Sequence, residues 1–390
     1  MGEWKEYKLG EIADIIPGFA FKSKDFGLAG EYVVKIKDIT PPCINIMSAD
    51  KVDISEYNVS RLEKYILHEG DYVVAMTGAT IGKVGKLKVK VKAFLNQRVA
   101  KIKAKDGICD NFIYYMLCTD DFQGFIRNNI DSNSAQENIS ANSIARFPVL
   151  LPSISEQKHI ASILSSLDDK IDLLHRENTT LEAMAETLFR QWFIEEANGD
   201  EISLGEVVKT TSGGTPSRKK EEYYCNGNIA WVKSKELQCS YILDTEEKIT
   251  EDAVANSSAK LLPKNSVLIA MYGATVGEYG ILAKPMTCNQ AVCALIPNEN
   301  YPYTYLYLWA RSMQEDFVNL ACGAAQQNIS QELIKQQCVS TDLKLIADFH
   351  TLVNPYMKKI KLNQEMIGTL IQMRDGLLPK LMNREISIYG

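Results

Sequence analysis

Histidine is scarce in this sequence. Four residues in 390, His68, His159, His175 and His350, stand apart from one another and form no pair at catalytic or metal-binding spacing. Cysteine is more frequent but unorganised. The nine cysteines are an odd number, and the closest two, Cys288 and Cys293, have no second pair or histidine at zinc-site spacing. Buried free thiols are the expectation. No apolar run approaches the roughly 20 residues that span a bilayer. The start, Met1-Gly2-Glu3-Trp4-Lys5-Glu6, is charged and lacks the apolar stretch of a signal peptide. A cytoplasmic protein without a membrane partner follows as the expectation. There is no Gly-rich loop closed by Lys-Ser/Thr for nucleotide phosphates, and no carboxylate–lysine constellation of a nuclease. The sequence therefore predicts no chemistry and no cofactor for this chain.

The formal charge is −6, which taken alone argues against nucleic acid, but its distribution changes the reading. Residues 1–150 carry +1, residues 151–200 carry −6, residues 201–340 carry −3 and residues 341–390 carry +2. Most of the acidity sits in one short segment. Balanced charge elsewhere permits a local basic patch without predicting one.

Against these absences stands a sentence written twice. Leu9-Gly10-Glu11-Ile12 returns as Leu204-Gly205-Glu206-Val207, and Ala75-Met76-Thr77-Gly78-Ala79-Thr80-Ile81-Gly82 as Ala270-Met271-Tyr272-Gly273-Ala274-Thr275-Val276-Gly277, both offset by 195 residues. Asn96-Gln97 recurs at Asn289-Gln290, and Ala135-Gln136-Glu137-Asn138-Ile139-Ser140 at Ala325-Gln326-Gln327-Asn328-Ile329-Ser330. A period this long, present twice, is a tandem domain duplication and not a solenoid. Four segments follow. Residues 1–151 form a first domain with short β-like runs such as Tyr32–Ile36 and Asp71–Met76. Residues 152–198 form a helix, opened by Pro152 and a Ser153/Glu156 capping box. Residues 199–338 repeat the domain, and residues 339–390 repeat the helix.

The helices carry heptad seams. In the first, Ile160, Leu164, Leu167, Ile171, Leu174, Asn178, Leu181, Ala185, Leu188 and Trp192 alternate spacings of four and three. In the second, Phe349, Val353, Tyr356, Ile360, Asn363, Ile367, Leu370, Arg374, Leu377 and Leu381 do the same. Such a helix runs about 50 Å. An amphipathic helix lying on its own domain is the alternative. Antiparallel pairing of the ten layers sets Asn178 against Asn363, whereas parallel pairing buries both amides unmatched, at about 1–3 kcal/mol each. Antiparallel pairing is therefore predicted, with Ala185 facing Tyr356 and Arg374 within reach of Asp168 or Asp169. The expected fold is α+β: two globular domains at opposite ends of an antiparallel two-helix coiled-coil spacer, related as a pseudo-twofold tandem repeat. Two fixed sites suit a periodic ligand such as DNA, whose half-sites one turn apart, roughly 34–36 Å, present the same groove face.

Candidate DNA contacts lie on the loops. Thr215, Ser217, Arg218, Lys219 and Lys220 present hydroxyls and cations suited to phosphates, with Lys22, Ser23 and Lys24 in the related place of the first copy. Thr77, Thr80, Tyr272 and Thr275 tip the Gly-Ala-Thr loops, where a purely structural turn is the competing reading. Asn96, Gln97, Arg98, Asn289 and Gln290 offer groups that read adenine or guanine edges or simply bond strand ends. Gln136, Asn138, Gln326, Gln327 and Asn328 have capping roles as their alternative. The run Lys83, Lys86, Lys88, Lys90, Lys92 alternates cations with apolar residues, as an exposed strand edge or a phosphate-facing strand does.

These pieces, in this order, resemble the specificity subunit of type I restriction–modification systems. The resemblance spans essentially the whole chain. It rests on Lys8–Ile12, the loop at 78–82, Leu151-Pro152 with Ser155–Lys158 and Ile160-Ala161, and Phe189-Arg190-Gln191-Trp192-Phe193. The second half adds Gly213–Ser217 and Leu377–Met382. The start of the second helix, Ser340–Lys344, departs by lacking the Glu-Gln pair of the first. The resemblance implies a non-catalytic subunit whose two target-recognition domains each read half of an asymmetric, interrupted site in double-stranded DNA. Its helices set the gap and dock two methyltransferase subunits, to which restriction (translocase/nuclease) subunits are added. Asn354-Pro355-Tyr356 has a passing likeness to the Asn-Pro-Pro-Tyr pocket of adenine methyltransferases, but it lacks the second proline and lies inside the heptad run. A protein–protein scaffold with duplicated peptide- or subunit-binding domains is the alternative function, and salt-dependent duplex binding separates the two.

Overall fold

The computed structural model describes residues 4–130, 137–196, 199–322 and 328–386. Ala135, Gln136, Ala325, Gln326 and Gln327 of the repeated motif lie outside them. The chain divides into two compact units, Met1–Lys170 with Leu370–Gly390, and Ile171–Thr369.

In the first unit a six-stranded sheet runs Ala13–Pro17, Val99–Ala104, Tyr72–Ala75, Val84–Lys86, Cys43–Ile44, Ile39–Thr40. A five-stranded sheet centred on Glu31–Val34 stands beside it, and Lys5–Lys8 pairs antiparallel with Pro148–Leu151. The second unit repeats this plan with a five-stranded sheet ordered Lys209–Ser212, Val292–Ile296, Val267–Ala270, Tyr279–Leu282, Ser240–Ile242. Glu201–Ser203 closes on Cys338–Ser340 as the first pair does. Strand Val267–Ala270 lies 195 residues after Tyr72–Ala75, the offset of the repeated motifs. Apolar side chains of these strands are wholly buried, as expected for sheets covered on both faces.

The two long helices run Ile154–Arg190 and Leu343–Met382. Ser153 caps the first by accepting from the Glu156 amide at 3.3 Å. The capping box is only half formed, because the Glu156 carboxylate instead accepts from the indole of Trp4 at 3.2 Å. At the second start Asp342 does the capping, accepting from the Leu345 amide at 2.9 Å. Gln157 is buried between the Cys109 amide and the Pro152 carbonyl and has no counterpart there. Asn354-Pro355-Tyr356 is helical, and Asn354 accepts from the Tyr303 hydroxyl at 2.8 Å.

Helix pairing is antiparallel. Asn363 Nδ2 donates to Asn178 Oδ1 at 2.8 Å in a buried layer. The pair is not reciprocal: the second hydrogen of that amide goes to Glu177 at 2.9 Å, and Asn363 Oδ1 has no partner among the described residues. In the first unit Arg374 reaches Asp168 at 2.9 Å and leaves Asp169 aside, while Tyr115 donates to the other Asp168 oxygen at 2.7 Å. Ile171, Leu174, Asn178, Ile360, Asn363 and Ile367 are buried, and Leu167, Leu181, Leu370 and Leu377 are half-buried. The seam also serves the domains. Ile160, Ala161 and Leu164 join the first unit's core, and Ala185, Phe189, Phe349, Val353 and Ile360 join the second's. Coiled coil and helix-on-domain are thus one arrangement and not alternatives.

Two expectations are corrected here. The lysine-rich run is no exposed edge: only Val84–Lys86 is strand, it lies inside the sheet, and residues 87–92 form a loop. Lys86 packs over Tyr114 and donates to Asn111, and burial lowers its pKa. The eight described cysteines are free, but only Cys288 and Cys293 are buried; Cys225 and Cys338 are exposed.

The asymmetric amide pair gives a test. Asn363→Leu strands Asn178 Oδ1 in an apolar layer and should cost about 1–3 kcal/mol, whereas Asn178→Leu with Asn363→Leu should recover most of it. A double-mutant cycle by chemical denaturation reads this out. Additive effects would show that the amides are not coupled.

Candidate nucleic-acid interface

The three repeated loop motifs converge in each unit. In the first, strand Tyr72–Ala75 runs into a turn, Gly78–Thr80, in which the amides of Ile81 and Lys83 return to the carbonyls of Gly78 and Thr80. Gly78 and Gly82 have φ of +72° and +83°, where an L side chain is strained. Gly82 also faces the helix Asp120–Asn128, so closely that a Cβ would lie 2.9 Å from Gln123 Oε1. In the second unit Gly273 and Gly277 have φ of +70° and +83°. A Cβ on Gly277 would lie 3.0 Å from the Gln314 carbonyl. The glycines are written twice because the turn requires them.

Upon this scaffold the first unit brings four polar residues together. Thr77 bridges to Asn138 through the backbone, and its hydroxyl donates to Asn138 Oδ1 at 3.2 Å. The Met76 amide donates to the Arg98 carbonyl, which sets the Gln97-Arg98 turn alongside. Thr77, Gln97, Arg98 and Asn138 line one open concavity of about 450 Å³. Asn96 does not line it, and its backbone amide donates to the Val34 carbonyl. Thr80 does not join it, and its enclosed hydroxyl has no partner among the described residues. Lys22, Ser23 and Lys24 are exposed on a separate turn, where Tyr57 accepts from the Lys22 amide and donates to Asp25. Lys24 lies 3.9 Å from Glu56. Ser140 caps a short helix, as Ser330 does in the second unit.

The second unit draws its loops together differently. Tyr272 takes the place of Thr77 and bridges to Asn328, but its ring is 43% exposed where Thr77 is buried. Thr275 is half-buried, and its hydroxyl donates to the Tyr272 carbonyl at 3.2 Å. Thr215 donates to the Gln290 side chain, which ties the cationic loop to the Asn289-Gln290 turn. Asn289 is spent on that turn, accepting from the Ala291 amide at 3.1 Å.

Of the three expected phosphate cations, two are engaged. Arg218 stacks 4.3 Å from the Tyr224 ring centre and 5.1 Å from that of Trp231, and pairs with Glu247 at 2.8 Å. Lys220 donates to Tyr223 at 2.8 Å, which raises its pKa. Lys219 and Ser217 are exposed. The clamp on Arg218 was not visible in the sequence, because Glu247 is 29 residues away and no local pattern links them. The arrangement holds a planar guanidinium on an aromatic platform beside hydroxyl and amide groups. That combination suits contacts to phosphates and base edges. Among the described residues no cluster of His, Cys, Asp or Glu is placed to hold a metal, and no helix is long and apolar enough to cross a membrane.

The sequence profile of the type I restriction–modification DNA specificity domain matches residues 1–183 and 198–341. The MjaIX specificity subunit of Methanocaldococcus jannaschii is 24% identical over 411 aligned positions, covering 99% of this chain and 94% of that protein. The EcoR124I/EcoR124II specificity subunit of Escherichia coli is 27% identical, covering 75% of this chain and 73% of that protein. Among solved structures, the S subunit of a type I restriction–modification system from M. genitalium aligns with a TM-score of 0.63 at 18% identity, over 97% of this chain and 96% of that one.

The Arg218 clamp makes a pH prediction. A hydrogen bond from Lys233, then Arg218, holds the Glu247 carboxyl below the usual glutamate range. The clamp is therefore intact above the ordinary value and is lost as pH falls through the lowered one. The fluorescence difference between the protein and its Trp231→Phe variant should show a transition below the ordinary glutamate pKa, absent after Glu247→Gln. A transition that survives the substitution would assign it to another group.

Proposed function

Since the chain belongs to the family of type I restriction–modification specificity subunits, we propose that it is the non-catalytic DNA-reading subunit of such a complex. Each unit reads one half of a two-part asymmetric site in duplex DNA, and the paired helices set the interval between the halves and dock two methyltransferase subunits. Restriction subunits add to that assembly. The observation that carries this reading is the convergence, in both units, of the three motifs written twice: the Thr77/Tyr272 loop, the Asn96-Gln97/Asn289-Gln290 turn, and Asn138/Asn328. Domain duplication supplies two loop clusters, and the differing tips, buried Thr77 against exposed Tyr272, suit two different half-sites. Phosphate contacts position such a protein and base-edge contacts specify its site.

Thr77, Gln97, Arg98 and Asn138 are the candidate readers of one half, and Thr215, Arg218, Lys219, Tyr272 and Gln290 those of the other. The scaffold alternative predicts no salt-dependent affinity for duplex DNA.

Single-molecule sequencing of DNA from cells expressing this chain with its methyltransferase partner should reveal N6-methyladenine in an asymmetric two-part motif that disappears when the chain is deleted. Exchange of residues 1–151 should alter one half of that motif only. With the purified complex, Lys219→Ala should lower the slope of log affinity against log salt by about 1 without changing the motif. Methylation at an undivided motif, or changes in both halves after the exchange, would refute the modular reading.

A further inference from the structure

Apart from the loop clusters, each unit has a concavity at a related place in the repeat. In the first it lies between the Lys5–Lys8/Pro148–Leu151 strand pair and the end of the helix Leu343–Met382, with a volume of about 370 Å³. In the second it lies between the Glu201–Ser203/Cys338–Ser340 pair and the end of the other long helix, and its volume is about 730 Å³. Glu6 and Asp121 line the first, and Glu201 and Asp316, each 195 residues later, line the second. No Lys or Arg lines either. Neither shares a residue with the loop clusters described above.

The two differ in what fills them. Trp4 lines the first, and the guanidinium of Arg384 lies 5.1 Å from its ring centre. The residue 195 positions after Trp4 is Gly199, which lines the second cavity, and a Cβ built there meets nothing within 4 Å. That missing side chain goes with the greater volume. The aromatic wall comes instead from Trp192, Phe193, Tyr305 and Trp309. Three further carboxylates, Glu196, Asp200 and Asp342, join the rim, and none of the five has an ion-pair partner among the described residues. In the first unit a guanidinium of the same chain thus lies over the tryptophan that lines the hollow. The second presents a larger and more acidic hollow with none.

We propose that the concavity of the second unit is a docking site for an arginine-bearing segment of a partner protein. A guanidinium stacks on indole and phenol faces while pairing with carboxylates, and its weak hydration lowers the cost of entering an apolar wall. Five carboxylates without a cationic partner among the described residues repel phosphate, although Asp342 caps its helix and Glu196 accepts from the Gln191 amide, so this face is closed to DNA. The asymmetry between the two concavities predicts one such segment per chain. The inference stands apart from the DNA-reading function.

The probe is a fluorescein-labelled hexapeptide bearing two arginines among leucines, with a glutamate counterpart, titrated into the full-length chain and followed by anisotropy. The arginine peptide should saturate at one equivalent and bind at least tenfold more tightly than the glutamate peptide. Gly199→Trp, which fills the cavity as Trp4 fills its relative, should abolish binding. Glu201→Gln with Asp316→Asn should weaken it at least fivefold, with duplex DNA affinity of the assembled complex changed by less than twofold. Bound peptide should also protect the exposed Cys338 thiol on the cavity wall from maleimide, a readout that needs no variant. Equal binding of the two peptides, or binding indifferent to both variants, would overturn the proposal.

Discussion

The two long helices meet across a seam that is apolar except where it is told apart from its alternatives. Leucine against isoleucine is nearly indifferent to a shift of one heptad, so the hydrophobic effect pairs the helices without choosing a register. The hydrogen bond from Asn363 to Asn178 makes that choice, because any other layer would leave two amides buried against hydrocarbon. Arg374, Asp168 and Tyr115 add a second fixed layer in the other unit. Burial also raises the Tyr115 phenol well above its ordinary pKa, so it stays a proton donor to that carboxylate. Polar groups here contribute little net stability and much definition.

What depends on this register is the packing inside each unit, because the helices are not separate from the cores they enter. Ile160 and Leu164 pack into one core, and Ala185, Phe189 and Phe349 into the other. Around Phe189 the rings of Phe193, Tyr305 and Phe349 lie with centres 5.0–5.8 Å apart. A change in helix pairing would have to break those clusters, and so would be opposed from both directions.

The parts of this architecture visible in the sequence were those with a period. The 195-residue offset gave the duplication, and the four-three spacing gave the seam, its antiparallel sense and the Asn178–Asn363 layer. Side-chain partnerships across long separations were not visible. Arg218 looked like a free phosphate ligand until folding brought Glu247, Tyr224 and Trp231 around it. Glu156 looked like a capping residue until Trp4, 152 positions earlier, took its carboxylate. The lysine run reads equally as a strand edge or a phosphate-facing strand, because alternation reports which face a residue takes, but not whether another strand lies beside it. Within the candidate interface, the scaffold positions were readable from glycine and repetition. Gln97 and Gln290 were readable only as a repeated place, Asn96-Gln97 returning as Asn289-Gln290, and repetition does not say which side chain faces a ligand.

In the turns after Tyr72–Ala75 and Val267–Ala270, backbone shape is guaranteed by Gly78 with Gly82 and by Gly273 with Gly277. The residue before each turn, Thr77 in one and Tyr272 in the other, is under no such demand. Side-chain identity at the tip and chain conformation in the turn are therefore assigned to different positions. A lineage carrying this turn can exchange the tip residue by single steps without passing through a misfolded intermediate. The same division let the two copies of one domain diverge at the tip, to Thr77 in one and Tyr272 in the other, while both kept the turn.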